Sequence, residues 1–357
     1  MKVRQPAPVT DVAPLMKLTR RTFLSAAVAT SLGSVALAQP GSRPGSRAGA
    51  YRTAAEYSAD RRGVSLLIMK DGEILFEDYP RSGGVDKHWE LASGTKSFTG
   101  LMAAAAQTDG LFDIDEPCTR LLQEWESDSR RSITVRHLLS LTSGLEEVGS
   151  TGRPPRYANA LEATAAHTAG AHFEYGPTPF QVFGEILRRA LSRAGEPSDP
   201  VEWLQARILD PIGVRYGDWG RGRDSQPYLS QGGHFTARNW ARYGQWVLDG
   251  AAGVDSSVYD LLFRPTDANP GYGLSWWLLR PGLIGPHPRA GIDAEAIARK
   301  TVGEDVVMAA GAGDQRLYLF RDRGLVVVRQ ANQILRGMLA RRDSVKWNDA
   351  EFIRLLG

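Results

Sequence analysis

Several features that would point to a particular function are scarce or absent in this chain. It has one cysteine, Cys118, among 357 residues, so it can form no internal disulfide and offers no cysteine-based metal site. It contains no Gly-x-Ser-x-Gly elbow, no Walker phosphate loop and no dinucleotide fingerprint after a predicted strand. The closest pair of histidines, His167 and His172, is five residues apart and lacks a carboxylate motif. The sequence therefore predicts no metal and no cofactor.

The excess of positive charge is confined to one end of the chain. The whole sequence carries 43 Lys+Arg against 40 Asp+Glu, with a pI near 9.0. Residues 1–38 hold five of the basic residues and one acidic residue, which leaves 38 basic and 39 acidic residues in the remainder. A nearly neutral body lacks the basic surface that nucleic-acid binding needs, so no nucleic-acid partner is expected.

The first 38 residues have the features of an export signal. Arg20 and Arg21 stand side by side before the small, apolar segment 23–38, which ends in Ala36-Leu37-Ala38. These sixteen residues are short of the about twenty that a membrane span needs. The segment resembles a twin-arginine signal peptide, which implies the twin-arginine export machinery, a periplasmic or secreted protein and no stable membrane insertion after cleavage. The alternative is an uncleaved anchor. Residues 39–52 are predicted to be a flexible leader.

Cleavage after residue 38 would remove most of the basic excess. We therefore expect isoelectric focusing of the exported protein to give a pI clearly below the value of 9.0 for the full sequence. An exported form that still focuses at that value would contradict cleavage.

The body of the chain predicts strands at both ends and helices between them. Two apolar, β-rich runs within 63–79 flank Asp71-Gly72, a strong signal for a two-residue hairpin. Helical patterns occupy the middle and the end, at 93–107, 135–141, 180–193, 201–208, 237–248 and 349–356. Three further strands are expected at 305–310, 316–320 and 325–329.

This order predicts an α/β (α+β) fold, with an antiparallel sheet assembled from both chain ends and flanked by helices. The predicted domain covers 53–357. Its sheet part is expected at about 53–100 and 268–357, and its mostly helical, inserted part at about 101–267.

The functional prediction depends on Ser93 and Lys96. They are three residues apart at the start of a predicted helix, so their side chains lie on the same side. A lysine among apolar residues has a lowered pKa and can accept the serine proton, and the positive end of the helix dipole favours negative charge on the serine. Such a pair is a variant of triad chemistry. Because Ser-x-x-Lys alone is a weak motif, Ser93 without further context would be interpreted as a helix N-cap.

The context of this motif resembles the serine β-lactamase-like superfamily, which includes class C β-lactamases, D-Ala-D-Ala carboxypeptidases, family VIII esterases and 6-aminohexanoate-dimer hydrolases. The likeness covers nearly all of 55–357 and depends on five stretches in order, at 90–100, 133–145, 173–185, 231–244 and 309–315. It implies a β-lactamase/transpeptidase-like fold and a serine hydrolase without a cofactor.

The resemblance implies roles for particular residues. Ser93 would be the acylated nucleophile, and Lys96 would take or relay its proton. Tyr175 matches the tyrosine of the family's Tyr-x-Asn motif, and a nearby cationic lysine is expected to lower its pKa so that it acts as base and then as acid. The backbone amides of Ser93 and Ala312 would form the oxyanion hole. Substrate-binding roles are implied for Pro177, His234, Gly311 and Gly313.

Two departures from the family pattern bear on the substrate. Pro177 stands where the motif has asparagine, and Ala309 stands where the third motif has a lysine or histidine. Both differences weaken the prediction of a β-lactam or peptidoglycan substrate. In the family, the missing asparagine would hold the substrate's amide, and the missing lysine or histidine would hold its carboxylate. Lys300-Thr-Val-Gly303 looks like a third motif but precedes the predicted strand, so we interpret it as a chance match.

We therefore predict an exported serine hydrolase that cleaves a carboxylic ester or small amide through an acyl-enzyme. One alternative is a β-lactamase or D-amino-peptidase, similar to a penicillin-binding protein, with the same catalytic groups. The other is a non-catalytic sensor or scaffold. Outside the motifs, Glu146-Glu147 is predicted to be a solvated loop, and Trp276-Trp277 to lie in the core or in a cleft wall.

Overall fold

The computed structural model describes residues 47–149, 153–279, 305–332, 334 and 346–357. The predicted signal peptide at 1–38 and the stretch 300–303 lie outside these residues. The strands are β1 (Gly63–Lys70), β2 (Glu73–Asp78), β3 (Trp89–Glu90), β4 (Asp218–Trp219), β5 (Gly233–Phe235), β6 (Trp277–Leu278), β7 (Val306–Gly311), β8 (Gln315–Phe320) and β9 (Leu325–Ala331). The α-helices are α1 (Arg47–Asp60), α2 (Ser97–Thr108), α3 (Val135–Leu139), α4 (Tyr157–Leu161), α5 (Thr178–Ala194), α6 (Pro200–Leu204), α7 (Ala237–Leu248), α8 (Ser256–Leu262) and α9 (Asp349–Leu355). Among these described helices, none has both the length and the apolar character required to cross a membrane.

The main sheet joins the two ends of the chain, which confirms the predicted fold class. Its six strands lie in the order β2-β1-β9-β8-β7-β6, and all neighbours are antiparallel. Val328 of β9 pairs with Leu67 on one side and with Leu317 on the other. The first hairpin closes at Asp71 and Gly72, whose φ angles of 51° and 80° are both left-handed. Two left-handed residues are what a type I′ turn requires, so the hairpin prediction is confirmed.

Helices cover both faces of this sheet. Successive side chains of β8 point to opposite faces, with Leu317 and Leu319 on one and Tyr318 on the other. Gly244 of α7 lies against the two leucines, and Phe352 of α9 stacks on Tyr318 with ring centroids 5.7 Å apart. Because neither face meets water, the central strands are buried at nearly every position, and their apolar residues form continuous runs rather than alternating with polar ones.

One predicted boundary is wrong, and one predicted helix packs where it was not expected. The flexible leader was predicted at 39–52, but α1 begins at Arg47, so residues 47–52 are helical. The physical reason is packing, since Tyr51 is buried and its ring lies 6.2 Å from that of Phe76. The predicted helix at 237–248 is present as α7, but it packs on the sheet although it lies within the range assigned to the helical part.

A second, three-stranded sheet was not predicted. Its strands lie in the order β3-β5-β4, and each has only two or three residues, too few for an alternating pattern to be recognised. The backbone N–H of Leu91, directly after β3, donates to the carbonyl of Gly233 in β5 at 2.9 Å. This small sheet therefore anchors the chain immediately before Ser93.

Candidate active site

Ser93 lies in a tight turn between β3 and α2. The predicted helix at 93–107 is divided into a 3₁₀ turn, Ala92–Lys96, followed by α2. Ala92 has φ 46°, in the left-handed region, which costs a non-glycine residue about 1 kcal/mol or more. The Gly94 N–H donates to the carbonyl of Leu91 at 2.9 Å and closes the turn. The turn thus holds the Ser93 side chain, which is 8% exposed, in one position.

Lys96 is buried beside this serine. Its Nζ donates to Ser93 Oγ at 3.1 Å and to the carbonyl of Ser230 at 2.8 Å. The rings of Tyr175 and Phe180 lie on the same amine, with centroids 5.0 and 5.2 Å from Nζ. Burial lowers the pKa of Lys96 to about 7, and the negative charge of Glu147 partly opposes that shift. The pair therefore has the contact and the lowered lysine pKa that the sequence predicts.

Tyr175 is also brought to this pair, but its pKa shifts in the direction opposite to the one predicted. Burial raises the pKa of Tyr175 to about 12, and hydrogen bonding with Ser93 offsets only part of the shift. The tyrosine ring packs on Trp277, with centroids 5.3 Å apart, which keeps water away from it. The prediction of a lowered pKa is wrong, because desolvation outweighs the hydrogen bond to Ser93 and the positive charge of Arg316.

The end of β7 lies directly against the serine turn. A Cβ on Gly311 would lie 1.9 Å from the carbonyl oxygen of Leu91 and 3.0 Å from the nitrogen of Gly94, so only glycine fits there. Ala312, the next residue, is partly exposed, and Gly313 has φ 72°. Closeness of this strand end to Ser93 is what an oxyanion hole formed by two backbone amides requires.

A buried charged pair fixes the turn after β7. Arg316 on β8 donates to the carbonyl of Gly311 at 3.1 Å and pairs with Asp349 of α9 at 2.7 Å. Both side chains of this pair are almost fully buried. The position of Gly311 is therefore set by α9 at the end of the chain as well as by the serine turn.

Comparison with known proteins agrees with this arrangement. The family model described as Beta-lactamase matches residues 50–344. The chain belongs to the β-lactamase family. Proteins with the fold of this family are serine hydrolases.

Two solved structures show the same β-lactamase fold. EstCE1, described as a hydrolase with promiscuous acyltransferase activity, is 15% identical with a TM-score of 0.63, and the match covers 87% of this chain and 97% of that one. A β-lactamase/D-alanine carboxypeptidase from Pseudomonas syringae is 16% identical with a TM-score of 0.61, covering 83% of this chain and 99% of that one. At these identities the likeness concerns the fold.

A curated relative matches over a shorter part of the chain. Protein flp of Staphylococcus aureus (strain NCTC 8325 / PS 47) is 23% identical over 190 residues, which are 48% of this chain and 38% of that protein. The chain thus spans well under half of the length of this relative.

Two further residues of this β-lactamase-family chain, Pro177 and His234, were predicted to bind substrate. Pro177 is buried, directly precedes α5 and accepts a backbone hydrogen bond from Gln181 at 3.2 Å. His234 lies on β5 opposite Glu90, and its Nδ1 is 2.9 Å from the carbonyl of Gly232. Their roles in binding stay predictions. Within the described part of the chain, no group of three or more His, Cys, Asp or Glu side chains could hold a metal ion.

The structure adds two residues that the sequence analysis did not select. Ser230 supplies the carbonyl that accepts a hydrogen bond from Lys96. It was not selected because it lies one residue before the recognised stretch 231–244. Glu147, predicted to be in a solvated loop, has a largely buried carboxylate that binds both the backbone N–H and the hydroxyl of Thr178. That prediction is wrong, because Gly176 has no side chain and leaves room for the carboxylate. The sequence signal that could have singled out Glu147 is its position two residues after Leu145, where the recognised stretch 133–145 ends.

Proposed function

We propose that this protein is a serine hydrolase that cleaves a carboxylic ester or a small amide through an acyl-enzyme at Ser93. The observation that carries the proposal is the 3.1 Å contact between Lys96 Nζ and Ser93 Oγ. The amine is buried and its pKa is lowered to about 7, so a large fraction is neutral and able to accept a proton near neutral pH.

The reaction follows from these positions. Lys96 takes the proton of Ser93 Oγ as the oxygen attacks the substrate carbonyl. The backbone amides of Ser93 and Ala312 stabilise the negative charge on the carbonyl oxygen. The proton then passes to the leaving group, and a water molecule, activated by the regenerated amine, releases the acid and free Ser93.

Tyr175 has a different part in this sequence from the one first predicted. A pKa of about 12 keeps its phenol protonated at neutral pH, so the tyrosine does not begin the reaction as a base. It lies against both partners, with its ring 5.0 Å from Lys96 Nζ. We assign it to proton relay, from the lysine ammonium to the leaving group.

Preference for an ester or small amide is supported by what the site lacks. Ala309 on β7 offers a methyl group where a substrate carboxylate would require a cation, and Pro177 offers no side-chain amide. The nearby cation Arg316 is committed to Asp349 and to a backbone carbonyl. Export through the twin-arginine pathway stays a prediction based on residues 1–38.

Substrate comparison with the purified protein tests this proposal. We expect turnover of p-nitrophenyl acetate and p-nitrophenyl butyrate to exceed that of nitrocefin by at least about tenfold in kcat/KM. Fast nitrocefin hydrolysis with negligible esterase activity would instead support a β-lactamase or D-amino-peptidase. If none of these three substrates is hydrolysed and a fluorophosphonate forms no covalent adduct, the result would support a non-catalytic scaffold.

A further inference from the structure

A carboxylate that the proposed reaction does not use lies beside the active site. Glu147 Oε2 accepts hydrogen bonds from Thr178, at 3.2 Å from the backbone N–H and at 2.9 Å from the hydroxyl. The carboxylate fills the space next to Gly176, where a Cβ would lie 1.9 Å from Glu147 Cδ. Gly176 directly follows Tyr175 in the chain, so the carboxylate lies against the backbone next to the catalytic tyrosine.

The second oxygen of this carboxylate is buried without a hydrogen bond. Among the described residues, Glu147 Oε1 has no hydrogen-bond partner and almost no contact with solvent. An unpaired buried carboxylate oxygen is costly, so an ionised Glu147 requires a nearby positive charge. Within the described part of the chain, the cation whose charge acts on Glu147 is Lys96.

The charged groups around Glu147 and Lys96 show which charges set the ionisation of each. Burial raises the pKa of Glu147, Lys96 lowers it, and Glu174 raises it further. Conversely, Glu147 is the charge that raises the pKa of Lys96 against the effect of burial. Among the residues that the structure describes, the other groups in contact with the amine are the Ser93 hydroxyl, a backbone carbonyl and two aromatic rings, all uncharged at neutral pH. Arg316, which acts on Tyr175, is paired with Asp349.

We propose that Glu147 is a positioning residue for the Lys96 proton: its carboxylate stabilises the ammonium that forms when Lys96 deprotonates Ser93. The inference builds on the proposed function. In the acylation step, the Ser93 O–H bond breaks, its proton binds Lys96 Nζ, and the Oγ–carbon bond forms as the carbonyl electron pair moves to oxygen. Glu147 keeps its own charge throughout, and Lys96 returns to its neutral state when its proton passes through Tyr175 to the leaving group.

Glu147→Gln tests this role. The amide keeps an oxygen that can accept from Thr178 but removes the negative charge, so the ammonium form of Lys96 loses its stabilisation. We expect the acid limb of the pH profile for fluorophosphonate labelling to move to lower pH by about half a unit or more. The rate on the alkaline plateau should fall several-fold, because a lysine of lower pKa is a weaker base.

Matched variants separate this role from simple capping of α5. Glu146→Gln removes the neighbouring carboxylate, which is exposed and bonded to Thr164, and should leave both the midpoint and the plateau unchanged. Glu147→Asp keeps the charge but withdraws it by one methylene group, and should give a smaller shift in the same direction. If Glu147→Gln does not fold, the shift of the midpoint is measured on Glu147→Asp instead.

The result that would overturn the proposal is a folded Glu147→Gln protein with a lower plateau and an unmoved midpoint, since loss of a structural contact has that effect. A midpoint that moves to higher pH would overturn it as well. Wild-type protein that gains no adduct at Ser93 would refute the proposed function instead, and so the two failures are distinguishable.

Discussion

Ser93→Ala is expected to lower kcat/KM for p-nitrophenyl butyrate by at least about a thousandfold, because it removes the hydroxyl proposed to take the acyl chain. The same variant should gain no mass with a fluorophosphonate, whereas the wild-type protein gains a single adduct. Removing the hydroxyl takes away one hydrogen bond of Lys96 and leaves the one to the Ser230 carbonyl, so the melting temperature should change by only a few degrees. Intact-mass spectrometry and steady-state kinetics give both measurements.

Ser97→Ala is the control for this prediction. Ser97 is the next serine along the same segment, and its hydroxyl is buried and donates to the carbonyl of Gly94 at 2.8 Å. This hydroxyl makes a structural hydrogen bond and is not a partner of the Lys96 amine, so its loss should leave labelling at Ser93 intact. An adduct that persists in Ser93→Ala would show that the nucleophile is a different residue.

Lys96→Met is expected to reduce the acylation rate by about 10²- to 10⁴-fold, the usual contribution of a positioned base. Methionine has a similar length and suits the apolar surroundings of Phe180, so the fold should be kept. In the wild-type protein, the ammonium present below pH 7 cannot accept the Ser93 proton. The rate should therefore rise with pH, with a midpoint near the lysine pKa of about 7, and level off above it.

The shape of the pH profile provides the sharper measurement for this variant. The limb near pH 7 should disappear in Lys96→Met, while the control Lys87→Met should retain it. Lys87 is exposed and binds only the carbonyl of Ser82 among the contacts described for its amine. If Lys96→Met acylated at the wild-type rate, the base would have to be another group.

The contact of Ser93 with Lys96 could be predicted because it is local. Residues three apart on one helical turn face the same side, whatever surrounds them. The hairpin at Asp71-Gly72 was predictable for the same reason, because its turn type depends on two residues alone. Signals of this kind lie within a few residues of one another in the chain.

The ionisation of Tyr175 could not be predicted in this way. Its position follows from a motif, but its pKa depends on burial against Trp277, about one hundred residues later in the chain. Glu147 presents the same difficulty, since two adjacent glutamates after a turn are usually solvated. Its burial depends on the missing side chain at Gly176 and on the donors of Thr178.

By itself, the sequence determined the fold class and the sheet built from both chain ends, and it predicted the nucleophile and its lysine. These depend on periodicity and short spacings, which any window of the chain displays. Only the tertiary structure decided which groups are ionised, because desolvation and charge depend on what distant segments bring to the site. It placed Gly311 against the serine turn and Glu147 against Gly176, next to Tyr175 in the chain, and it left Lys96, not Tyr175, as the group able to accept a proton near pH 7.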